Sequence, residues 1–552
     1  MFSRALLLFL LIFLPGITLS AAAIWFGIRG TLKLGLIQLA GIALPGYLLF
    51  WLYLGAPKTS YAISVALPFI FAACLLLLLI RFTPAQRKRL LPLLTPAALT
   101  FFAALGVLSF GFLYGGKTTP METAQTRFSH TLPPDNMMPL LLADGLHHGA
   151  VPRPLLGDWL SSDRPPLQTA LILALEPVVK DWPMDYEIAS VILQCLWIFA
   201  TWLLLRAFRI SQLSTALVIL TIYLTGFALV NSFFVWPKLL AAVYTLAFAI
   251  PILALLRGNF RRRSWLLRIL SAFLLACGLL SHGGTLFSVL GIGLFMLAGL
   301  RLSLIRESCL IGLIALAFYA PWIGYQKFID PPGDRLLKWH LAGMEKPNNI
   351  PAFEAIRAAY QRQKFSDWTH AKESNFWTLF GNESKFAEQF GFSRKALREL
   401  RVVQFFYLVP SIGFVSLGAI GLLYWRKNKE LAAARRLFAC FLLSALVNIL
   451  MLFEQSATTI QSLSYIMVLM AMAACILALR GALPRVAIAV CLLQCVWSWT
   501  VYEPDLRTLT IPSFRPVPII GSMLALHILS LAGLSLLLFA PFKRLYRWGT
   551  RN

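Results

Sequence analysis

A polytopic bundle of transmembrane helices, all-α, is the fold class this sequence predicts, and three observations predict it. Apolar runs of about 20 residues, the length a helix needs to cross a bilayer core, recur along the whole chain of 552 residues; 59% of residues are hydrophobic, 13% are charged, and the mean hydropathy is +0.74. The runs lack the every-second-residue alternation of a membrane β-barrel, which leaves helices as the way to satisfy the backbone in lipid. Basic residues gather between runs: Arg81 with Arg87, Lys88 and Arg89; Arg206 with Arg209; Arg257 with Arg261, Arg262 and Arg263; Arg426 and Lys427 with Arg435 and Arg436; and Lys543 with Arg544. Placing these clusters in the cytoplasm fixes the topology. Of the 23 acids, all but Glu307 and Glu430 then fall on the opposite side. The net charge of +26 is a sorting signature, and no nucleic-acid partner is expected.

The elements follow in order. Residues 1–114 hold four expected spans, 5–27, 33–54, 60–80 and 92–114. The first follows Arg4 and is too long for a signal-peptide core, although "LSAAA" resembles a small-residue cleavage site, so it reads as a retained span. Residues 115–183 form a first extracytoplasmic loop. Residues 184–326 hold six expected spans, 184–207, 212–234, 239–256, 264–281, 284–300 and 308–326, and the break at Ser281-His282-Gly283-Gly284 suits either a tight turn or one long broken helix. Residues 327–402 form a second extracytoplasmic loop, and 403–552 hold spans 403–425, 435–454, 461–479, 486–501 and 518–541 before a basic cytoplasmic tail. The count is about fifteen, with the N-terminus outside, in a multi-pass protein of the inner or plasma membrane. All eight cysteines lie in or at the ends of apolar runs, which argues against a disulfide framework.

Both loops are expected to cover one another. In the first, the Leu167–Val179 run is too short to span and reads as an interfacial helix. In the second, "NIPAFEAIRAAYQRQKF" and "SKFAEQFGFSRKALREL" are amphipathic at helical spacing. Asn382 opens a formal glycosylation sequon.

Candidate chemistry clusters at the outer ends of the spans. "PPDNMMPLLLADGL" displays Asp135 after two stiffening prolines, with Asp144 nine residues on. Asp135 so placed suits a general base or the N-cap of the short helix that follows. "SDRPPLQ" puts Asp163 where a cap is wanted, with Arg164 beside it as an anion ligand or a headgroup contact. "DPPGDRLLKWHLAG" presents Arg335 and Lys338 three residues apart on one helical face, suited to a phosphate or to lipid headgroups, followed by His340. "WPK" with Lys238 and "SHGG" with His282 end their spans on the same side. A Walker loop, HExxH, G-x-S-x-G and a dinucleotide fingerprint are all missing.

These strings and this architecture resemble the GT-C superfamily of integral membrane glycosyltransferases, which includes the protein mannosyltransferases and bacterial aminoarabinose transferases. The resemblance covers roughly residues 92–345; in the superfamily the acidic loop usually follows the first span, and here it follows the fourth. It implies a sugar donor on a polyprenyl phosphate and a glycan, lipid or protein acceptor. It also implies Asp135 as the base, Asp144 orienting the acceptor or holding a divalent metal ion, and Arg335, Lys338, Lys238, His340 and Arg164 around the donor phosphate. Competing expectations are an O-antigen-ligase-like glycan transferase relying on the later loop, a lipid or glycan flippase, and a scaffold without catalysis. His527 is the deepest ionisable group in the expected spans, which counts against ion-coupled transport.

Overall fold

A computed structural model of the protein describes residues 1–113, 119–127, 132–179, 182–255, 265–298, 302–381, 408–453, 463–508 and 520–539. Their regular structure is helical, with one isolated bridge between Leu156 and Trp159 as their sole extended pairing. In chain order the helices are α1 (Phe2–Trp25), α2 (Thr31–Gly55), α3 (Pro57–Arg81), α4 (Pro84–Gly111), α5 (Pro120–Thr126), α6 (Met138–His148), α7 (Leu167–Leu173), α8 (Trp182–Cys195) and α9 (Trp197–Ala207). They continue as α10 (Gln212–Tyr223), α11 (Gly226–Phe233), α12 (Lys238–Leu255), α13 (Trp265–Ser281), α14 (Thr285–Ala298), α15 (Leu302–Gly324), α16 (Arg335–Ala342), α17 (Ala352–Arg362) and α18 (Phe365–Phe380). The last six are α19 (Leu408–Ile412), α20 (Gly418–Gly421), α21 (Lys429–Met451), α22 (Tyr465–Ala482), α23 (Pro484–Thr508) and α24 (Ile520–Phe539).

Among the described residues eight helical segments are long and apolar enough to cross a membrane, and a ninth joins them if α10 and α11, which meet at a 61° bend, form one span. Fifteen spans were expected; the remaining apolar helices, such as α13 and α14, are shorter. Among the described residues the chain is thus all-helical, with eight helical segments, or nine with the bent pair, that suit a membrane crossing. A hydropathy run measures apolarity, and buried short helices are as apolar as spans.

The continuous segment α8–α9 is wholly buried, whereas only 6% of the apolar stretch of α3 is. The first is the axis of the bundle and the second its rim. Helices α1 and α2 close on one another at glycines: a Cβ added to Gly41 would lie 2.8 Å from the Gly16 Cα. Without a hydrophobic drive between helices in lipid, such backbone contact supplies the packing. Arg4 at the start of α1 pairs with Asp185 in α8 at 2.8 Å, which puts those two ends on one level.

The expected interfacial helix is different in kind. Every residue of α7 is buried, against α2, α6, α8 and α13, so it is an internal helix rather than one lying on the surface. Its polar face explains this. Gln168 Nε2 donates to the Tyr186 hydroxyl (3.0 Å) and the Val235 carbonyl (3.1 Å), and Gln168 Oε1 accepts from Gln194 Nε2 (3.0 Å). In the second loop α17 matches the first amphipathic string, with Phe353 exposed in its first turn. The second string and Asn382 lie outside the described residues. The break at 281–284 is a turn between two helices.

Candidate functional site

The first and second loops fold onto each other. Asp330 Oδ2 accepts from Ser161 Oγ (2.6 Å) and the Ser162 N–H (3.0 Å), and its other oxygen pairs with Arg153 (3.0 Å). Gln326 Nε2 donates to the Ser162 carbonyl (3.0 Å) and the Gly333 carbonyl (2.7 Å). Gly333 has φ +63°, and a Cβ there would lie 2.5 Å from the Gln326 Cβ, so the turn needs glycine.

Asp135 sits in a single helical turn, Pro134–Met137, held by its buried neighbour. Asn136 Oδ1 accepts from Gln125 (2.9 Å), and its carbonyl accepts from the Tyr186 hydroxyl (2.6 Å). The Asp135 side chain caps no helix; its Oδ2 accepts from Arg164 Nη2 in an ion pair. Arg164 Nε is buried without a hydrogen-bond partner. The guanidinium lies 4.4 Å over the Trp159 ring, which also carries Arg335 at 3.9 Å.

Two cavities meet at Arg164, Pro165 and His282, which line both. The inner one, about 20 Å³, also touches Asp135, Ser161, Trp236 and Ser281. The outer one, about 390 Å³, is walled by apolar groups of α14, α15 and α16, among them Phe287, Tyr319, Trp322 and Leu337, with Asp163 and His340 as polar points. Leu286 and Leu337 on its wall are exposed. Lys238 begins α12, where Gln194 Oε1 accepts from the Leu240 N–H (3.0 Å). Its Nζ is buried without a hydrogen-bond partner, 4.0 Å over Trp236 and 5.0 Å over Tyr465. Five short strings from distant parts of the chain thus gather here.

Asp163 does not cap α7. Its Oδ2 accepts from the Leu160 N–H (2.9 Å) and stands 3.8 Å from Arg335, while its Oδ1 is buried without a partner. Burial pushes its carboxyl up to about 6; the Leu160 N–H, Arg335 and Arg164 oppose the rise and Asp330 adds to it. His340 goes the other way. Burial takes it down to about 4 against the hydrogen bond to the Leu336 carbonyl, with Arg164 and Lys238 adding to the drop. His282 is likewise held well below its usual range, by burial and then by Lys238 and Arg164.

Three expected site residues are occupied elsewhere. Arg335 donates to Asp158 Oδ2 (2.9 Å), the Asp158 carbonyl (3.0 Å) and the Glu345 carbonyl (2.9 Å), and lines neither cavity. Lys338 is fully buried, with Nζ donating to the Asn348 carbonyl (2.7 Å), Asn348 Oδ1 (3.0 Å) and the Ile350 carbonyl (3.1 Å). The shared helical face is therefore spent on two different loops. Asp144 is exposed, pairs with His148 at 3.3 Å and lines neither cavity with Asp135. Among the described residues no three His, Cys, Asp or Glu side chains gather as a metal site. Asp135 is spent on Arg164 and Asp144 lies apart at the surface, so these two acids do not make a divalent-ion donor set.

Sequence reasoning passed over Trp159, which joins the two loops through its ring, and Glu187, fully buried in α8 with neither carboxylate oxygen hydrogen-bonded. Glu187 stands within the expected span 184–207 and was legible as a buried acid. Compared with models of known families, with curated proteins and with solved structures, the chain matches none.

Proposed function

We propose that this protein is a membrane glycosyltransferase of the GT-C type, moving a sugar from a polyprenyl phosphate to a glycan, lipid or protein acceptor at the extracytoplasmic boundary. The carrying observation is the junction of the two cavities: Arg164 holds Asp135 and borders an apolar-walled chamber, with Lys238 Nζ unpartnered in the same electrostatic neighbourhood. A buried amine lacking an acceptor is costly, as is a guanidinium Nε–H left unpaired. A lipid phosphate supplies that acceptor while its chain lies along the apolar wall.

In this reading the acceptor hydroxyl oxygen attacks the anomeric carbon. The bond from that carbon to the phosphate oxygen breaks, the phosphate leaves with the electron pair, and Asp135 takes the hydroxyl proton. Arg164 and Lys238 stabilise the charge gathering on the departing phosphate. The fifteen-segment topology, with both loops outside, belongs to this proposal. The test is transfer from a radiolabelled polyprenyl-phosphate sugar by the protein in nanodiscs. Loss of transfer in Asp135→Asn with retained lipid binding supports it, and full activity in that variant overturns the base assignment.

Glu187 favours transport as a second reading, since an unpaired acid inside a bundle is a proton-binding position. Proteoliposome flipping of a fluorescent polyprenyl phosphate that stops in Glu187→Gln, with no transfer detected, would favour it.

A further inference from the structure

The two imidazoles on the outer cavity are fixed in opposite tautomers. The Gly284 backbone N–H donates to His282 Nδ1 (3.0 Å), so that nitrogen carries a lone pair and the proton of the neutral ring is on Nε2. His340 Nδ1 lies 2.5 Å from the Leu336 carbonyl oxygen, which can only accept, so Nδ1 carries the proton and Nε2 the lone pair. Neither Nε2 has a hydrogen-bond partner among the described residues, and His282, His340 and Arg164 all line the outer cavity. The chamber therefore offers one N–H donor and one nitrogen acceptor, both on uncharged rings, next to the cation that the proposed function gives to the phosphate.

We propose that His282 and His340 form a hydroxyl-reading site for the sugar of the lipid donor, the hydroxyl oxygen accepting from His282 Nε2 and its proton donated to His340 Nε2. The pairing suits a hydroxyl because a hydroxyl both donates and accepts. It does not suit the phosphodiester anion, since a bare lone pair on His340 repels an anion oxygen. His340 thus moves from the phosphate group of residues to the sugar. The burial that keeps both rings neutral makes the arrangement hold at neutral pH. Phe287 and Tyr319 on the same wall give the sugar ring apolar faces to lie against. A site built to satisfy a hydroxyl discriminates strongly against a ligand without one, because its own buried polar atoms are then left unpaired.

This inference rests on the phosphate-lipid reading for its choice of ligand, and the experiment separates the two. Binding to protein in nanodiscs is measured for undecaprenyl phosphate and for its glucose, mannose and arabinose conjugates. The wild type is expected to bind at least one conjugate about tenfold more tightly than the bare lipid. His340→Asn keeps a donor for the Leu336 carbonyl and removes the cavity-facing acceptor, so it should erase that increment and leave bare-lipid affinity within about twofold. His340→Gln, which restores an acceptor near the Nε2 position, should recover part of it. An increment that survives in His340→Asn, a matching loss for the bare lipid, or no increment for any conjugate overturns the proposal. Failure of the bare lipid to bind overturns the phosphate reading instead. In that case protection of His340 from diethyl pyrocarbonate by octyl glucoside, a glycoside without phosphate, still supports the hydroxyl site, and absence of protection overturns it.

Discussion

Asp135 and Arg164, 29 residues apart in sequence, form an ion pair at the meeting point of two cavities. A cap role for Asp135 would leave its carboxylate on backbone N–H groups; here it is spent on a guanidinium that also borders the larger chamber. Asp135→Asn is expected to lower transfer by about 10²–10⁴; its amide oxygen still accepts from Arg164, so the protein folds, with a melting temperature lowered by the lost charge. Transfer rate and melting temperature, measured on one preparation, check both halves.

Lys238 and Lys338 are both buried lysines with opposite expected responses. Lys338 serves two carbonyls, an amide oxygen and Asp334 at 2.7 Å. Lys338→Met should therefore destabilise the protein by about 3–5 kcal/mol, because buried partners lose their cation. Lys238 Nζ serves none, so Lys238→Met should leave stability unchanged or raised and weaken polyprenyl-phosphate binding. Denaturation and lipid titration of the pair decide it.

Part of the pH dependence of stability comes from His340, with His282, also depressed by burial, acting in the same sense. The folded-state value of His340, about 4, lies below the ordinary 6.5, so between these pH values the unfolded chain binds the extra proton. Stability from the neutral ring is complete above 6.5 and is lost as pH falls toward 4. Asp163, raised to about 6, acts in the opposite sense, since the folded state holds the proton and stability falls as pH rises from 4 to 6. His340→Leu should reduce the loss between pH 6.5 and 4, to which His282 still contributes, and Asp163→Asn should reduce the opposing slope, to which Glu176 still contributes. Melting temperatures across pH 4–7.5 read both, and unchanged slopes would sink the assignment.

The α1–α2 contact leaves no room for a side chain at Gly41. Gly41→Leu is expected to cost about 1–3 kcal/mol through overpacking. Leucine at Gly55, whose surroundings are open, serves as the matched control in the same melting experiment.

How far the sequence carried the site depends on the range of each interaction. Asp135, Arg164, Lys238 and His282 were legible because each stands beside a proline, a glycine or a span end, and His340 because it follows the Pro331-Pro332-Gly333 turn by two helical turns; span ends of one side converge. The fate of Lys338 was not, since i,i+3 spacing gives the shared face correctly but says nothing of Asn348 and Ile350 folding back over it. Asp163 precedes two prolines as a cap residue does. Its helix starts only after Pro166, however, and its carboxylate turns back to Leu160. The helical class followed from run length and the missing alternation, whereas the burial of α7 did not, because a short apolar run reads the same at an interface as inside a bundle.

The buried helix α7 also constrains how the chain is made. It touches α2, some 110 residues earlier, and α13, some 100 residues later, and α13 packs on α2 as well. The amino-terminal helices leave the ribosome first, yet the seat of α7 lacks one wall until α13 has been synthesised. Until then the Gln168 side chain and the apolar residues of α7 have no finished enclosure, so truncation before Trp265 should yield a chain that inserts but is readily cut by protease between α6 and α8.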